Sequence, residues 1–103
     1  MPKTWAGRSR FDYTGSVETG TDIVYGKGWK VRVDAEQYKA LRSHFSNLVV
    51  SVGTSRTDPP EDSLGAWLQA YVTRSAIASY VAPILILEGY AERVGKHDIR
   101  IVR

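Results

Sequence analysis

The chain has 103 residues, of which 43% are hydrophobic and 24% are charged, a composition typical of one folded domain rather than of a disordered chain. The absence of cysteine excludes a disulfide framework, a thiolate zinc site and a cysteine nucleophile. The formal net charge of +3 permits a polyanionic partner but does not require one. The longest apolar stretch, residues 80–87, is too short to span a bilayer, and no signal-peptide run opens the chain, so we expect a cytoplasmic protein.

The first 33 residues are predicted to form an arm followed by a hairpin. Residues 1–20 are rich in Gly, Ser and Thr, and we expect them to be an N-terminal arm outside a domain of residues 21–103. Residues 21–33 contain two short apolar runs around a Gly-Lys-Gly turn, and from Trp29 onwards apolar and basic residues alternate with the period of a β-strand. The sequence therefore predicts a β-hairpin that has one basic face and places Trp29 in the core.

Two helices are predicted on either side of a short strand. Asp34 is a favourable N-cap with Gln37 in the capping-box position, and apolar residues then recur at helical spacing over residues 35–46. The β-branched run of residues 48–52 predicts the strand, and the Pro-Pro pair that follows it marks a loop. Ser63 is the expected N-cap of the second helix.

The last part of the chain predicts a third helix and a second hairpin. Thr73 is the expected N-cap of a helix over residues 74–88. Pro83 lies inside this helix and removes the hydrogen bond to the Ser79 carbonyl, a change that costs about 3 kcal/mol in a helix interior and favours a kink. Residues 90–102 predict two strands around a Gly-Lys-His-Asp turn.

The connection between the second and third helices carries the most specific motif. The run from Tyr71 to Val81 places apolar side chains at Val72 and Ile77 and a hydroxyl at Thr73. This pattern is similar to the Gly-Val-Ser-x-x-Thr-Val-Ser-x-x-Leu run of helix-turn-helix proteins, although Tyr71 stands where that family commonly has glycine. Together with the order of helix, strand, two helices and hairpin, it resembles the winged helix-turn-helix family.

The resemblance implies an α+β fold of three helices and a C-terminal β-hairpin wing, here with an additional N-terminal β-hairpin. It also implies binding to double-stranded DNA, with helix 74–88 in the major groove and wing 90–102 on the phosphate backbone. Such a domain would serve as a small transcriptional regulator or a DNA-targeting module, associated with the nucleoid in a bacterial or phage setting. One domain covers few base pairs, so a homodimer would extend the contact, although no dimerisation helix is visible. The residues that the resemblance assigns to DNA are Thr73, Arg74, Ser75, Ser79, Arg93, Lys96, His97 and Arg100.

Three interpretations have open alternatives. Lys3, Arg8 and Arg10 form either a minor-groove arm or part of a frayed terminus. Residues 53–56 are small and polar before an arginine, and we favour a plain loop over a phosphate cradle there. The third helix is apolar and poor in cations, so a protein partner is the alternative to DNA.

Catalysis is not expected from this sequence. The two histidines, His44 and His97, fall in no recognisable catalytic or metal-binding motif. Glu61 and Asp62 follow the double proline and supply negative charge at the start of the second helix. We therefore expect no enzymatic activity, no metal and no cofactor.

Overall fold

Two three-stranded antiparallel sheets and three helices form an α+β fold in the computed structural model, which describes residues 1–103. In chain order the elements are β1 (Asp12–Ser16), β2 (Gly20–Tyr25), β3 (Trp29–Asp34), α1 (Ala35–His44), β4 (Val49–Ser51), α2 (Leu64–Tyr71), α3 (Ala78–Leu87), β5 (Ala91–Val94) and β6 (Asp98–Ile101). The first sheet has the order β1-β2-β3, and the second has the order β4-β6-β5. None of the three helices combines the length and the apolar character needed to cross a membrane.

The first sheet turns one face towards the core. On that face Thr21 and Ile23 of β2 are fully buried, Tyr25 is half-buried, and its cross-strand partner Trp29 is 69% exposed. The prediction that Trp29 lies in the core is therefore wrong. The strand alternation was interpreted correctly, but Trp29 is the first residue of β3, next to the turn that joins β2 to β3, and its side chain stays exposed there.

The outer face of this sheet carries Arg32, and the last strand, β3, is followed directly by α1. Arg32 forms ion pairs with Asp22 and Asp34 at 3.0 and 2.8 Å, so the basic outer face is largely neutralised. The Asp34 backbone N–H donates to Oε1 of Gln37 at 2.9 Å, which confirms the predicted capping-box partner. The helix ends at His44 rather than at residue 46.

The start of α2 is fastened to the end of β4. The Ser63 hydroxyl accepts a hydrogen bond from the Ala66 N–H at 3.1 Å, which confirms the predicted N-cap. The Gly65 N–H donates to the Val52 carbonyl at 2.8 Å, and a β-carbon at Gly65 would clash with the Gly53 carbonyl. Only glycine permits this close approach of the helix to the strand.

The third helix starts later than predicted. Its first residue is Ala78 and the fully buried Ile77 takes the N-cap position, so the start of the predicted helix over residues 74–88 and its cap at Thr73 are wrong. The Thr73 N–H donates instead to the Leu68 carbonyl at 3.0 Å, in the turn that closes α2. The segment between these helices is therefore a connection and not a helical turn.

The helix α3 continues through Pro83 without ending. Proline has no N–H, so the carbonyl of Ser79, four residues earlier, loses its helical partner. The backbone N–H of Trp5 donates to that carbonyl at 2.9 Å. The N-terminal segment thus supplies the hydrogen bond that Pro83 removes.

Residues 1–20 belong to the fold and are not the arm that we expected. Their Trp5, Phe11 and Val17 side chains are buried in the common core. The Trp5 indole Nε1 donates to the Lys96 carbonyl at 2.8 Å, and the Arg93 guanidinium lies 3.9 Å from the centroid of its ring. This segment therefore joins α3 to the hairpin formed by β5 and β6, whose strands lie within the predicted wing of residues 90–102.

A tyrosine–glutamate pair fixes the first sheet to the end of α3. The Tyr13 hydroxyl donates to Oε2 of Glu88 at 2.8 Å, and Oε1 of Glu88 accepts the Val17 N–H at 2.9 Å. Burial, together with the neighbouring Glu88 carboxylate, raises the pKa of Tyr13 to about 12. Burial also raises the pKa of Tyr38, whose hydroxyl pairs with Thr21 inside the core.

Replacing Trp5 with alanine is expected to lower the free energy of unfolding by about 3–5 kcal/mol, since it removes a buried indole and its hydrogen bond to Lys96. The matched control is Trp29→Ala, which truncates an indole that is 69% exposed and should change stability by less than about 0.5 kcal/mol. Urea unfolding followed by circular dichroism measures both values. Equal losses in the two variants would contradict the assignment of Trp5 to the core.

Stability is expected to fall as the pH rises from 10 towards 12. The folded-state pKa of Tyr13 lies above its ordinary value of 10.0, so the contribution of its protonated form is fully present below pH 10 and is lost as the pH passes through about 12. Tyr13→Phe should make this fall shallower, whereas Tyr71→Phe, at an exposed ring, is the control. A pH series of urea unfolding curves tests this, and identical slopes for wild type and Tyr13→Phe would refute it.

Candidate nucleic-acid interface

A cleft of about 610 Å³ opens where the first sheet meets the connection between α2 and α3. Its walls come from the turn between β2 and β3, the loop after β4, the connection before α3, and the first turn of α3 itself. We call it the cationic–aromatic cleft, and it is lined by Tyr25, Gly26, Lys27, Trp29, Arg56, Arg74, Ser75, Ala76 and Tyr80. Four separate parts of the chain thus meet at one concave surface.

Three aromatic side chains form one side of the cleft. Tyr25 and Tyr80 stack on each other with their ring centroids 4.6 Å apart and an angle of 26° between the planes. Trp29 stands beside them as the cross-strand partner of Tyr25 and is 69% exposed. A β-carbon at Gly26 would lie 3.2 Å from Cδ1 of Trp29, so the glycine leaves room for the indole against the turn.

Three cations complete the lining. Lys27, Arg56 and Arg74 are exposed and come from three different segments. None of them takes part in an ion pair, because the ion pairs of this structure involve only Arg32 and Arg100 as cations. No carboxylate lines the cleft, so its positive charge is not neutralised from within the site.

The loop that carries Arg56 is held against α2. The Arg56 carbonyl accepts a hydrogen bond from Nε2 of Gln69 at 3.2 Å, and the Ser55 hydroxyl accepts the Asp58 N–H at 3.0 Å. Burial raises the pKa of Tyr80, whereas the charge of Arg56 opposes that rise. Arg56 therefore lines the cleft from a loop that is anchored to α2.

The same loop reaches the turn of the second hairpin. Thr54 and Ser55 line a small hollow of about 240 Å³ together with His97. Lys96 and His97 at this turn are exposed, and neither side chain forms an ion pair. One loop thus lines the cleft through Arg56 and the hollow at the hairpin turn through Thr54 and Ser55.

The other two residues expected in the wing, Arg93 and Arg100, form contacts with other residues of the protein. The Arg93 guanidinium donates to the carbonyls of Trp5, Gly95 and Lys96 at 3.1, 3.1 and 3.4 Å, in addition to its contact with the Trp5 ring. Arg100 lies 3.8 Å from the carboxylate of Glu92, and both side chains are about half exposed. Arg93 is therefore a structural residue here, and the charge of Arg100 is partly offset.

Of the DNA contacts that we expected on the third helix, only Arg74 and Ser75 line the cleft, and Thr73 and Ser79 do not. Arg74 and Ser75 line the cleft, and Thr73 lies half-buried just before them. Ser79 is half-buried in the first turn of α3, where its carbonyl accepts the Trp5 N–H. Across the rest of α3 only Leu87 is exposed, so the helix offers no polar face of its own.

The N-terminal cations lie apart from the cleft. Lys3 borders an apolar groove beside Trp5, Arg10 donates to the Met1 carbonyl at 3.1 Å, and Arg8 is exposed near them. None of the three lines the cleft, so the structure does not join them to Arg74.

Sequence reasoning missed the aromatic side and two of the cations. The strand pattern predicts Trp29 in the core, and the sequence treats Lys27 as part of a turn and Arg56 as part of a plain loop. One usable signal was the Gly-Lys-Gly turn directly before Trp29, since connections between strands lie at the protein surface.

Comparisons with known proteins give no match for this chain among family models, curated proteins or solved structures. Its function is therefore inferred from the chemistry of the cleft and from the order of the elements around it.

Proposed function

We propose that this protein is a small DNA-binding domain of the winged helix-turn-helix type. The observation that carries the proposal is the convergence of Lys27, Arg56 and Arg74, unpaired and without a neighbouring carboxylate, on a cleft beside an exposed indole. Unpaired cations gathered on one concave surface favour a polyanion, because phosphates neutralise them and counterions are released.

The architecture supports the winged-helix part of the proposal. From α1 onwards the order is helix, strand, two helices and a hairpin, and the strand between the first two helices pairs with β6 of that hairpin. The hairpin is therefore continuous with the helical unit, as a wing would be. The sheet of β1, β2 and β3 is an addition that packs on α3, through contacts such as that of Tyr25 with Tyr80 at 4.6 Å.

The contact that we propose is centred on the connection before α3 and not on the helix itself. Because α3 is enclosed by the N-terminal segment and the first sheet, it does not present side chains to the edges of bases. Arg74, Arg56 and Lys27 would instead contact phosphates, with Lys96 and His97 of the wing turn beside them. Phosphate contacts position a protein on DNA but carry little sequence information. We therefore propose binding with low sequence specificity, suited to a regulator or targeting module that gains selectivity elsewhere, for example through dimerisation.

A protein partner is the second candidate, and one observation favours it. Leu87 is 62% exposed and lies beside Pro83 and Ile86 on an apolar groove of about 340 Å³. The groove borders the C-terminal half of α3, and Lys3 and Arg93 also line it. An exposed apolar side chain of this size is compatible with a protein contact.

Removing single cleft charges is expected to weaken DNA binding for all sequences alike. If Lys27, Arg56 and Arg74 each contact one phosphate, the slope of log K against log salt includes about −2.7 from these three, and each Gln substitution should reduce it by about 0.9. Lys39→Gln, which removes one exposed charge from α1 outside the cleft, is the matched control and should leave the slope unchanged. Fluorescence anisotropy with labelled duplex DNA at several salt concentrations measures both.

The outcome that contradicts DNA binding is a flat salt dependence, or equal effects of the cleft variants and Lys39→Gln. A protein-binding function would instead be indicated if Leu87→Ser abolished capture of a partner while the Gln variants kept it. Lys96→Gln tests the wing separately, and a reduction of the slope similar to that of Arg74→Gln would support its participation.

A further inference from the structure

We infer that the cationic–aromatic cleft seats an unpaired nucleotide, with its base stacked on Trp29, so that single-stranded DNA binds more tightly than duplex DNA. This inference rests on the proposed function and specifies the form of DNA that the site prefers. It follows from the exposure of Trp29, from the absence of any ring or cation over its indole, and from the concave arrangement of the three cations around it.

The exposure of Trp29 is not explained by packing. Trp5 and Trp67 are buried, whereas Trp29 is 69% exposed even though it lies on the core-facing side of β3. Burying a side chain as large as tryptophan is worth several kcal/mol, so a solvated indole at the end of a strand forgoes a substantial stabilisation. A ligand with a flat apolar face would recover it.

The indole face is also unoccupied within the protein. Tyr25 and Tyr80 stack on each other, which leaves Trp29 as the aromatic side chain of the cleft without a stacking partner. The cation–π contacts of this structure are made on Trp5 and Tyr90, and no guanidinium covers Trp29. Its face is therefore open to a planar group that enters the cleft.

The charges around the indole indicate what else that planar group carries. Lys27 is two positions before Trp29 on the same turn, and Arg56 and Arg74 line the cleft from two other segments. A nucleotide unites a flat base with an anionic phosphate, and a strand continues the phosphates beyond one unit. A cleft of about 610 Å³ lies within the range of small-ligand sites and has room for a nucleotide.

Access to the face of a base differs between duplex and single-stranded DNA. In a duplex both faces of each interior base are stacked on neighbouring bases, so none is free for an indole. In a single strand every base can stack on an aromatic side chain, and this contact is tolerant of sequence. The Trp29 indole therefore distinguishes the two forms, whereas the three cations act on the phosphates of either.

The test uses fluorescence anisotropy with three labelled probes of about 12 nucleotides, within the range of single-strand site sizes. They are an oligothymidine, a blunt duplex and an oligomer of abasic sites with the same number of phosphates. We expect wild type to bind the oligothymidine at least about 5-fold more tightly than either of the other two. Trp29→Ala should weaken oligothymidine binding by roughly 5- to 150-fold, the range that one stacked base contributes, and leave duplex binding unchanged within about twofold.

Two variants separate stacking from other effects. Trp29→Phe retains an aromatic face and should keep most of the preference for the single strand, whereas Trp29→Leu retains bulk without the ring and should lose it. Because Trp29 is exposed, circular dichroism should show the wild-type fold for all three substitutions. Thymidine monophosphate is added as a competitor, and we expect it to compete weakly because it lacks the neighbouring phosphates.

Each outcome bears on a defined claim. Salt-dependent binding of duplex and oligothymidine with equal affinity, or an unchanged oligothymidine affinity in Trp29→Ala, would overturn the nucleotide inference and leave the DNA-binding proposal standing. Equal affinity for the abasic oligomer and the oligothymidine would also overturn it. Competition by the mononucleotide as strong as that by the oligomer would overturn the assignment to a strand. Absence of salt-dependent binding to every probe would overturn the proposed function together with the inference.

Discussion

The hydrogen bond from the Trp5 backbone to the Ser79 carbonyl holds the parts of this fold in their arrangement. Pro83 cannot donate to that carbonyl, and an unsatisfied carbonyl inside a buried helix would cost about 1–3 kcal/mol. Trp5 supplies the missing N–H at 2.9 Å, and its indole donates to Lys96 at the turn of the second hairpin. The stacking of Arg93 on the same indole adds a third contact. One residue near the N-terminus thereby links the first turn of α3 to the second hairpin.

The packing of α3 against its neighbours leaves the loops around it as the exposed polar surface. The N-terminal segment contacts the first turn of the helix through Trp5, while Phe11, just before β1, and Tyr25 of β2 pack on Tyr80. A helix packed in this way acts as a scaffold, and chemistry is left to the loops that the scaffold positions. Arg74, in the connection before α3, and Arg56, in the loop after β4, are both exposed and line the same cleft. The helix α3, which packs against the core, is apolar.

Local signals predicted the types of the elements from residue 21 onwards but missed β1, and tertiary contacts explain what they missed. The caps at Asp34 and Ser63 depend on partners within a few residues, so sequence pattern was sufficient to place them. Trp5 has no periodic neighbours, and its indole contacts a residue 91 positions away, which no local pattern can indicate. For Trp29 the alternation identified the correct face of the strand, but whether other elements cover that face is decided by tertiary packing. The late start of α3 has the same origin, because burial of Ile77 overrides the capping preference of Thr73.

Net charge alone would not have identified the cleft. A formal charge of +3 is small, and much of the positive charge is used inside the protein: Arg32 pairs with two aspartates and Arg93 binds backbone carbonyls. What distinguishes the cleft is that its cations have no such partners while sharing one concavity. Under the proposed function, the walls formed by Tyr25, Tyr80 and Trp29 would concentrate the field of those charges, so that a weakly basic protein would still attract a phosphate to this site. The aromatic side chains that strengthen the electrostatics are the same groups that can receive a base, and this coincidence makes a nucleotide a better fit to the cleft than a simple anion.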